Sequence, residues 1–204
     1  MCIGMKAIVI YHTRFGNTER IAKSLETGLK EASGIQDVVC TNAKDIAVSP
    51  VDNSFKEYDI ICIGAPTEGF SAPKPIKEFL AMLKDIDLSG KYGFTFDRKL
   101  DSRFSGSAAN FIEKELKSLG LQIVAPRESA IVFALKEMGT ITDARLKEGE
   151  EERFKQIGLQ LETELLAENT SLMAHYCGGS RTWRNWQVPS EFTADIQNFF
   201  GTAT

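Results

Sequence analysis

A chain of 204 residues is long enough for one domain with a substantial core and too short for two ordinary ones. With 43% hydrophobic and 25% charged residues it has the mixture of a globular protein rather than a disordered or fibrous one. A formal charge of -4 provides no basic field for nucleic acid or an anionic membrane, and no apolar run approaches the roughly 20 residues that span a bilayer. The opening "MCIG" lacks the charged and apolar regions of a secretion signal, so a cytoplasmic location is expected.

The first apolar run, "KAIVIY" at 6–11, predicts a strand, and Ile21, Ala22, Leu25 and Leu29 predict a helix after it. "QDVVC" (36–40) predicts a second, shorter strand, followed by a polar segment interrupted by Pro50, with room for a short helix at most. "YDIICIG" (58–64) is almost uninterruptedly apolar, as a strand covered on both faces must be. Its helix follows a Pro-rich loop, with Pro75 suited to the first turn and Ile76, Phe79, Leu80 and Leu83 forming the buried stripe.

"YGFTFD" (92–97) predicts the fourth strand, and a long loop leads to a helix near 107–119 that Gly120 stops. A fifth strand is expected split or extended across 121–133, because Pro126 does not belong inside a central strand. A last helix is expected near 149–168, with Phe154, Ile157, Leu161 and Leu165 on one face and Glu148, Glu150, Glu151 and Glu152 as a solvated start suited to the helix dipole. Five alternations of strand and helix predict an α/β domain with a mostly parallel sheet, here placed at 1–168. Residues 169–204, with Trp183, Trp186 and a further helical stripe, are expected to be an extension that packs on the domain or on a neighbouring subunit in a homo-oligomer.

In such a sheet the ligand lies beyond the carboxyl ends of the strands. Three loops leave those ends, at 12–18, 65–75 and 97–107. The first, "HTRFGNT", combines Thr13, Asn17 and Thr18 with one Gly and a helix N-terminus, a setting made for a phosphate. Neither the dinucleotide glycine pattern nor the Walker pattern is present, so NAD and ATP in their standard folds are not the expected owners of that phosphate. Cys2, Cys40, Cys62 and Cys177 show no paired or metal-ligand spacing, and Cys40 and Cys62 fall in apolar runs where a thiol acts as a small hydrophobe. His12 and His175 have no catalytic or metal-like context, so neither a catalytic residue nor a metal site is expected.

The series Val9, Ile10, Tyr11, Thr13, Gly16, Thr18, Ala22 and Leu25 resembles the first-loop pattern of the flavodoxin family, and the likeness covers about residues 5–168. It implies the flavodoxin-like doubly wound three-layer sandwich, with a five-stranded parallel sheet of order 2-1-3-4-5 and a C-terminal extension. It also implies bound flavin mononucleotide, FMN, with Thr13, Arg14, Phe15, Gly16, Asn17 and Thr18 wrapping the phosphate. Pro66, Thr67, Glu68, Gly69 and Phe70 would flank the ring, a peptide near Gly69 being the one that the family lets turn toward it. Asp97, Phe104, Gly106 and Ser107 would approach from the third loop, which departs from the common pattern by its length and by Arg98, Lys99 and Arg103.

The function implied is transfer of electrons between partners, a redox protein or a small-molecule acceptor. An FMN-dependent oxidoreductase acting on a small molecule such as a quinone, and a binding module without flavin, are the alternatives.

Overall fold

The computed structural model describes residues 4–46, 53–101, 106–137 and 140–176. Contacts divide the chain into two units, Gly4–Leu166 and Met1–Ile3 with Ala167–Thr204, and the first unit carries the sheet and the site. Residues 177–204, and with them Cys177, both tryptophans and most of the expected extension, lie outside the described residues, as does Phe104.

Strand β1 (Met5–Tyr11) leads to helix α1 (Asn17–Glu31), and β2 (Ile35–Asn42) to a single turn, α2 (Ala43–Ile46). Next come β3 (Ile60–Pro66) with α3 (Lys74–Met82), then β4 (Tyr92–Leu100) with α4 (Ala108–Ser118). The chain continues through β5 (Gln122–Ile123), β6 (Glu128–Glu137), β7 (Thr140–Leu146) and α5 (Glu150–Tyr176). The spatial order is β2-β1-β3-β4-β6-β7, with β5 also on β4. All pairs are parallel except β6 with β7.

The fold class expected is the one found, with a change in strand count. The fifth strand exists as two pieces, β5 and β6, both parallel to β4, with Pro126 in the gap between them. Strand β7 is an addition that the five-strand count lacked. It runs antiparallel along β6 from Glu137↔Thr140 to Val132↔Leu146. Its second half, Asp143 to Leu146, alternates polar and apolar residues, with Ala144 buried and Arg145 exposed.

Alternation of side chains along β1 and β3 divides the core in two. Ala7, Val9, Tyr11, Ile60 and Cys62 meet Ile21, Leu25 and Leu29 of α1 and Phe154, Leu161 and Leu165 of α5. Ile8, Ile10, Ile61 and Ile63 meet Ile76, Phe79 and Leu80 of α3 and Ile112 and Leu116 of α4. Each fully buried Leu, Ile or Phe stabilises the fold by about 1.5–3 kcal/mol, so these two faces set the fold.

Helices α1 and α5 touch at backbone distance, because a Cβ on Gly28 would collide with the Lys155 carbonyl and one on Gly158 would come 2.5 Å from that of Leu25. At the start of α5 Glu148 and Glu152 are exposed as expected, and Glu150 departs from the expected solvated cluster. Glu150 is buried, accepts from the Ile131 N–H at 3.3 Å, and takes two bonds from Arg153, at 2.9 and 2.7 Å. Arg153 also donates to Glu128 and to the Ser129 carbonyl, both at 2.7 Å, and so fastens α5 to β6.

Candidate functional site

Strand order reverses between β1 and β3, since β1 is followed in sequence by a neighbour on one side and then by a neighbour on the other. The carboxyl ends there open on the β1–α1 and β3–α3 loops, which is where an open α/β sheet binds its ligand.

The β1–α1 loop is held from both sides. The His12 N–H donates to the Gly64 carbonyl at 3.1 Å, and the buried Asn17 amide donates to the Ala144 carbonyl of β7 at 2.6 Å. Asn17 thus anchors the loop with its side chain, leaving its backbone N–H at the helix start. Gly16 occupies the cap position at φ 76, a left-handed conformation that strains any L residue with a side chain, and nothing lies within 4 Å of where its Cβ would be. No side chain caps α1, so the N–H groups of its first turn have no acceptor within the helix.

Two hydroxyls of this loop and helix start are unsatisfied. The Oγ1 atoms of Thr13 and Thr18 are buried and have no hydrogen-bond partner, and Thr18 is wholly inaccessible. Leaving a buried hydroxyl unpaired costs about 1–3 kcal/mol, so two in one loop, beside a bare helix end, mark a place shaped for something that accepts hydrogen bonds. A phosphate fits that description.

The α4 N-terminus makes the contrast. Ser107 caps it by accepting from the Asn110 N–H at 3.1 Å, the Ala108 N–H donates to Thr67 Oγ1 at 3.0 Å, and the Ala109 N–H donates to Asp97 Oδ2 at 3.0 Å. That helix end is already supplied with acceptors from the chain itself.

Asp97 therefore has a place unlike the one suggested by its position in the third loop. It is completely buried, and its Oδ2 also accepts from Ser107 Oγ at 2.7 Å and from Thr67 Oγ1 at 3.1 Å. One carboxylate oxygen binds together the end of β4, the start of the β3–α3 loop and the start of α4. The long-range pairing of Thr67, Asp97 and Ser107 has no local signature in the sequence.

Pro66 closes β3, buried, in register with Arg98 of β4. Beyond it the chain turns sharply. The Glu68 N–H donates to the Ser71 carbonyl at 2.9 Å and the Ser71 N–H returns to the Glu68 carbonyl at 3.0 Å, with Gly69 at φ 53 and Phe70 at φ 66 between them. Both central residues are left-handed, as in a type I′ turn. That conformation costs a non-glycine residue about 1–2 kcal/mol, and Phe70 bears it while 71% exposed at the tip. Gly106 packs against the turn, because a Cβ there would stand 2.5 Å from the Phe70 Cα.

Charge completes the picture. Arg98 of β4 is only 6% exposed, and its guanidinium carbon lies 5.7 Å from the centroid of the Phe15 ring, where Arg14 also sits at 5.1 Å. Among the described residues it forms no ion pair. Burial pulls Arg98 below its ordinary pKa, the Glu68 charge opposes that, and the Arg14 charge adds to it. Burying an ion costs several kcal/mol and a cation–π contact returns about 0.5–2 kcal/mol, so Phe15 alone does not compensate Arg98. His12, nearby, is pushed down by burial and by Lys44, against the pull of Glu68, and its Nδ1 has no partner.

The loops at 12–18 and 65–71 thus lie side by side, joined through His12 and Gly64. Asp97 of β4 ties Ser107 to Thr67 of the second loop, and Gly106 packs against the turn of that loop. Among the described residues no group of acidic, His or Cys side chains is arranged to hold a metal, and no helix is long and apolar enough to cross a membrane.

Comparison with known proteins bears on the same segments. A family model described as "Flavodoxin" matches residues 9–157. The type A flavoprotein fprA of Rhodobacter capsulatus is 28% identical over 119 residues, 58% of this chain, and the chain spans 26% of that protein. Probable flavodoxin 2 of Bacillus subtilis is 31% identical over 123 residues, 59% of this chain and 78% of that protein. Among solved structures, a flavodoxin from the domain Archaea superposes with a TM-score of 0.61 at 22% identity, covering 78% of this chain and 99% of the other. Rubredoxin oxygen:oxidoreductase from Desulfovibrio gigas superposes with a TM-score of 0.59 at 18% identity, covering 78% of this chain and 37% of that one.

Proposed function

The chain belongs to the flavodoxin family, and from that premise we propose that it binds FMN in the cleft between the β1–α1 and β3–α3 loops and carries electrons between redox partners. Bound FMN supplies the reversible uptake of electrons. The single observation that carries the reading is the pair of buried, unpartnered hydroxyls, Thr13 and Thr18, beside the uncapped start of α1.

The work of the chain is positioning and electrostatics. Thr13, Thr18 and the first-turn N–H groups of α1 supply donors to the phosphate, with Gly16 keeping the approach open. Asn17 fixes that loop to β7, and Asp97 fixes the second loop to α4 through Thr67. The turn at Glu68–Ser71 presents the Gly69 and Phe70 peptides to the ring, and Arg14 and Phe15 stand at the border of the two loops. No side chain of the cleft is needed as a catalytic acid or base.

In this reading residues 1–168 are the FMN-binding domain, and residues 169–204 are an extension that packs on it or on a neighbouring subunit of a homo-oligomer. The partner is a redox protein, and the location cytoplasmic. A second reading, an FMN-dependent oxidoreductase for a small molecule such as a quinone, is favoured by one observation, the basic Arg14 and Arg98 pair, since acidic surroundings suit a low-potential carrier better. A stoichiometric reductive titration followed by absorbance separates the two. Two resolved one-electron steps support the carrier, and a single two-electron step contradicts it in favour of the oxidoreductase.

A further inference from the structure

We propose that Arg98, assisted by Arg14, is a receptor for negative charge on the ring of FMN and favours the reduced form of the cofactor over the oxidised one. The proposal rests on the FMN reading and adds to it a direction for the redox equilibrium.

Arg98 extends from the carboxyl end of β4, opposite Pro66, into the space bordered by Phe15 of the first loop and Glu68 of the second. It is more than nine-tenths buried and, among the described residues, has no carboxylate within ion-pair distance. A second guanidinium, that of Arg14, shares its aromatic neighbour and repels it. Two like charges gathered around one ring, one of them desolvated, are at a disadvantage until an anion arrives. Glu68 reaches Arg98 through its field alone.

The anion that answers is not the phosphate. The phosphate donors of this reading are Thr13, Thr18 and α1, at the end of β1, whereas the Arg98 backbone stands on β4, two strand spacings or roughly 10 Å away, and its guanidinium reaches back toward the first loop at the Phe15 ring. The phosphate also has the same charge before and after reduction. The ring does not: on taking two electrons and one proton from a reductant it gains one unit of negative charge, with no bond formed to the protein. A fixed cation in a cleft from which water is largely excluded stabilises that charge and leaves the neutral oxidised ring almost untouched. Arginine suits the role because it stays protonated where a buried lysine would lose its charge.

The test uses the full chain reconstituted with FMN, as wild type, Arg98→Gln, Arg98→Lys and Arg14→Gln. The overall two-electron midpoint potential is measured by dithionite reduction against a reference dye. Binding of oxidised FMN and of riboflavin is measured separately by flavin fluorescence. Arg98→Gln is expected to weaken binding of reduced relative to oxidised FMN at least tenfold, a midpoint potential about 30 mV more negative for a two-electron couple. Arg98→Lys, whose ammonium loses its charge more readily when buried, gives a partial shift of the same sign, Arg14→Gln a smaller one, and the affinity of Arg98→Gln for oxidised FMN stays within about threefold.

An unchanged potential in folded, flavin-loaded Arg98→Gln overturns the proposal. So does a loss of affinity for oxidised FMN with riboflavin unaffected, which would put Arg98 on the phosphate. Should Arg98→Gln hold no flavin, unshifted potentials in both Arg98→Lys and Arg14→Gln overturn it equally. Failure of the wild type itself to take up FMN removes the underlying reading and the proposal with it, a result that none of the variant outcomes resembles.

Discussion

Replacing Asp97 by asparagine tests how the second loop is held. The Asp97 carboxylate accepts three hydrogen bonds on Oδ2, from Thr67, Ser107 and the Ala109 N–H, while Oδ1 is buried without a partner. Asparagine has the same shape and turns its carbonyl oxygen toward the three donors, so the bonds survive without their charge. Charged hydrogen bonds are roughly twice as strong as neutral ones, and a charged one contributes about 1.5–3 kcal/mol, so about half of each is lost. The amide N–H groups now occupy the place of Oδ1, where they meet no acceptor, a further penalty of about 1–3 kcal/mol. Removing a buried, unpartnered carboxylate oxygen offsets part of this, and the expected loss is about 2–4 kcal/mol, or roughly 5–15 °C in Tm for a domain of this size. Urea unfolding of the protein without flavin measures it. A double-mutant cycle with Thr67→Ala should show a coupling of at least about 1 kcal/mol. A loss below about 0.5 kcal/mol, with no coupling, would refute the claim that Asp97 fastens the loop.

Thr18→Val removes a buried hydroxyl that has no partner; the flavin-free protein should be as stable or more so by up to about 1–2 kcal/mol, while FMN affinity falls about tenfold and riboflavin affinity is unchanged by fluorescence titration. Gly28→Ala forces a Cβ against the Lys155 carbonyl and should destabilise by about 2–3 kcal/mol in urea unfolding, with FMN affinity retained in the folded fraction. Burial, then the Lys44 charge, holds His12 below its ordinary value of 6.5 in the folded state, so the unfolded chain binds the proton more readily and stability falls as pH drops through 6.5 toward the folded pKa. His12→Gln should flatten that part of the stability profile. Glu113, held below the usual carboxylate range by Lys117 and Arg127, acts only at lower pH, where its stabilisation is lost as pH falls below about 4.5 and through its folded pKa.

What was legible in the sequence was what depends on local order. Val9 through Tyr11, a short hydroxyl-bearing turn and the stripe Ile21, Ala22, Leu25 and Leu29 announce a strand, a loop and a helix, and so the phosphate loop. The apolar run at 58–64 announces a central strand, and Pro126 marks the break between β5 and β6. What was not legible depends on partners far along the chain. Asn17 reaches the Ala144 carbonyl 127 residues away, on a strand whose weak alternation does not advertise it. Asp97 meets Thr67 across 30 residues, and so is drawn inward as a fastening rather than outward toward a ring. Glu150, in a run of acidic residues that resembles a solvated helix start, is buried because Arg153 one turn on brings Glu128 and β6 to it. Burial of Arg98 is of the same kind. Its neighbours Lys99 and Leu100 are less buried, and only the pairing of β4 between β3 and β6 decides which side chain faces inward.

The most direct measurement is titration of the flavin-free protein with FMN and with riboflavin, which differ only in the phosphate. If Thr13, Thr18 and the start of α1 are the phosphate cradle, FMN binds at least about a hundredfold more tightly than riboflavin, a difference of ~2.7 kcal/mol. The margin shrinks in Thr18→Val. Equal affinities for the two, or uptake of neither, would contradict the account.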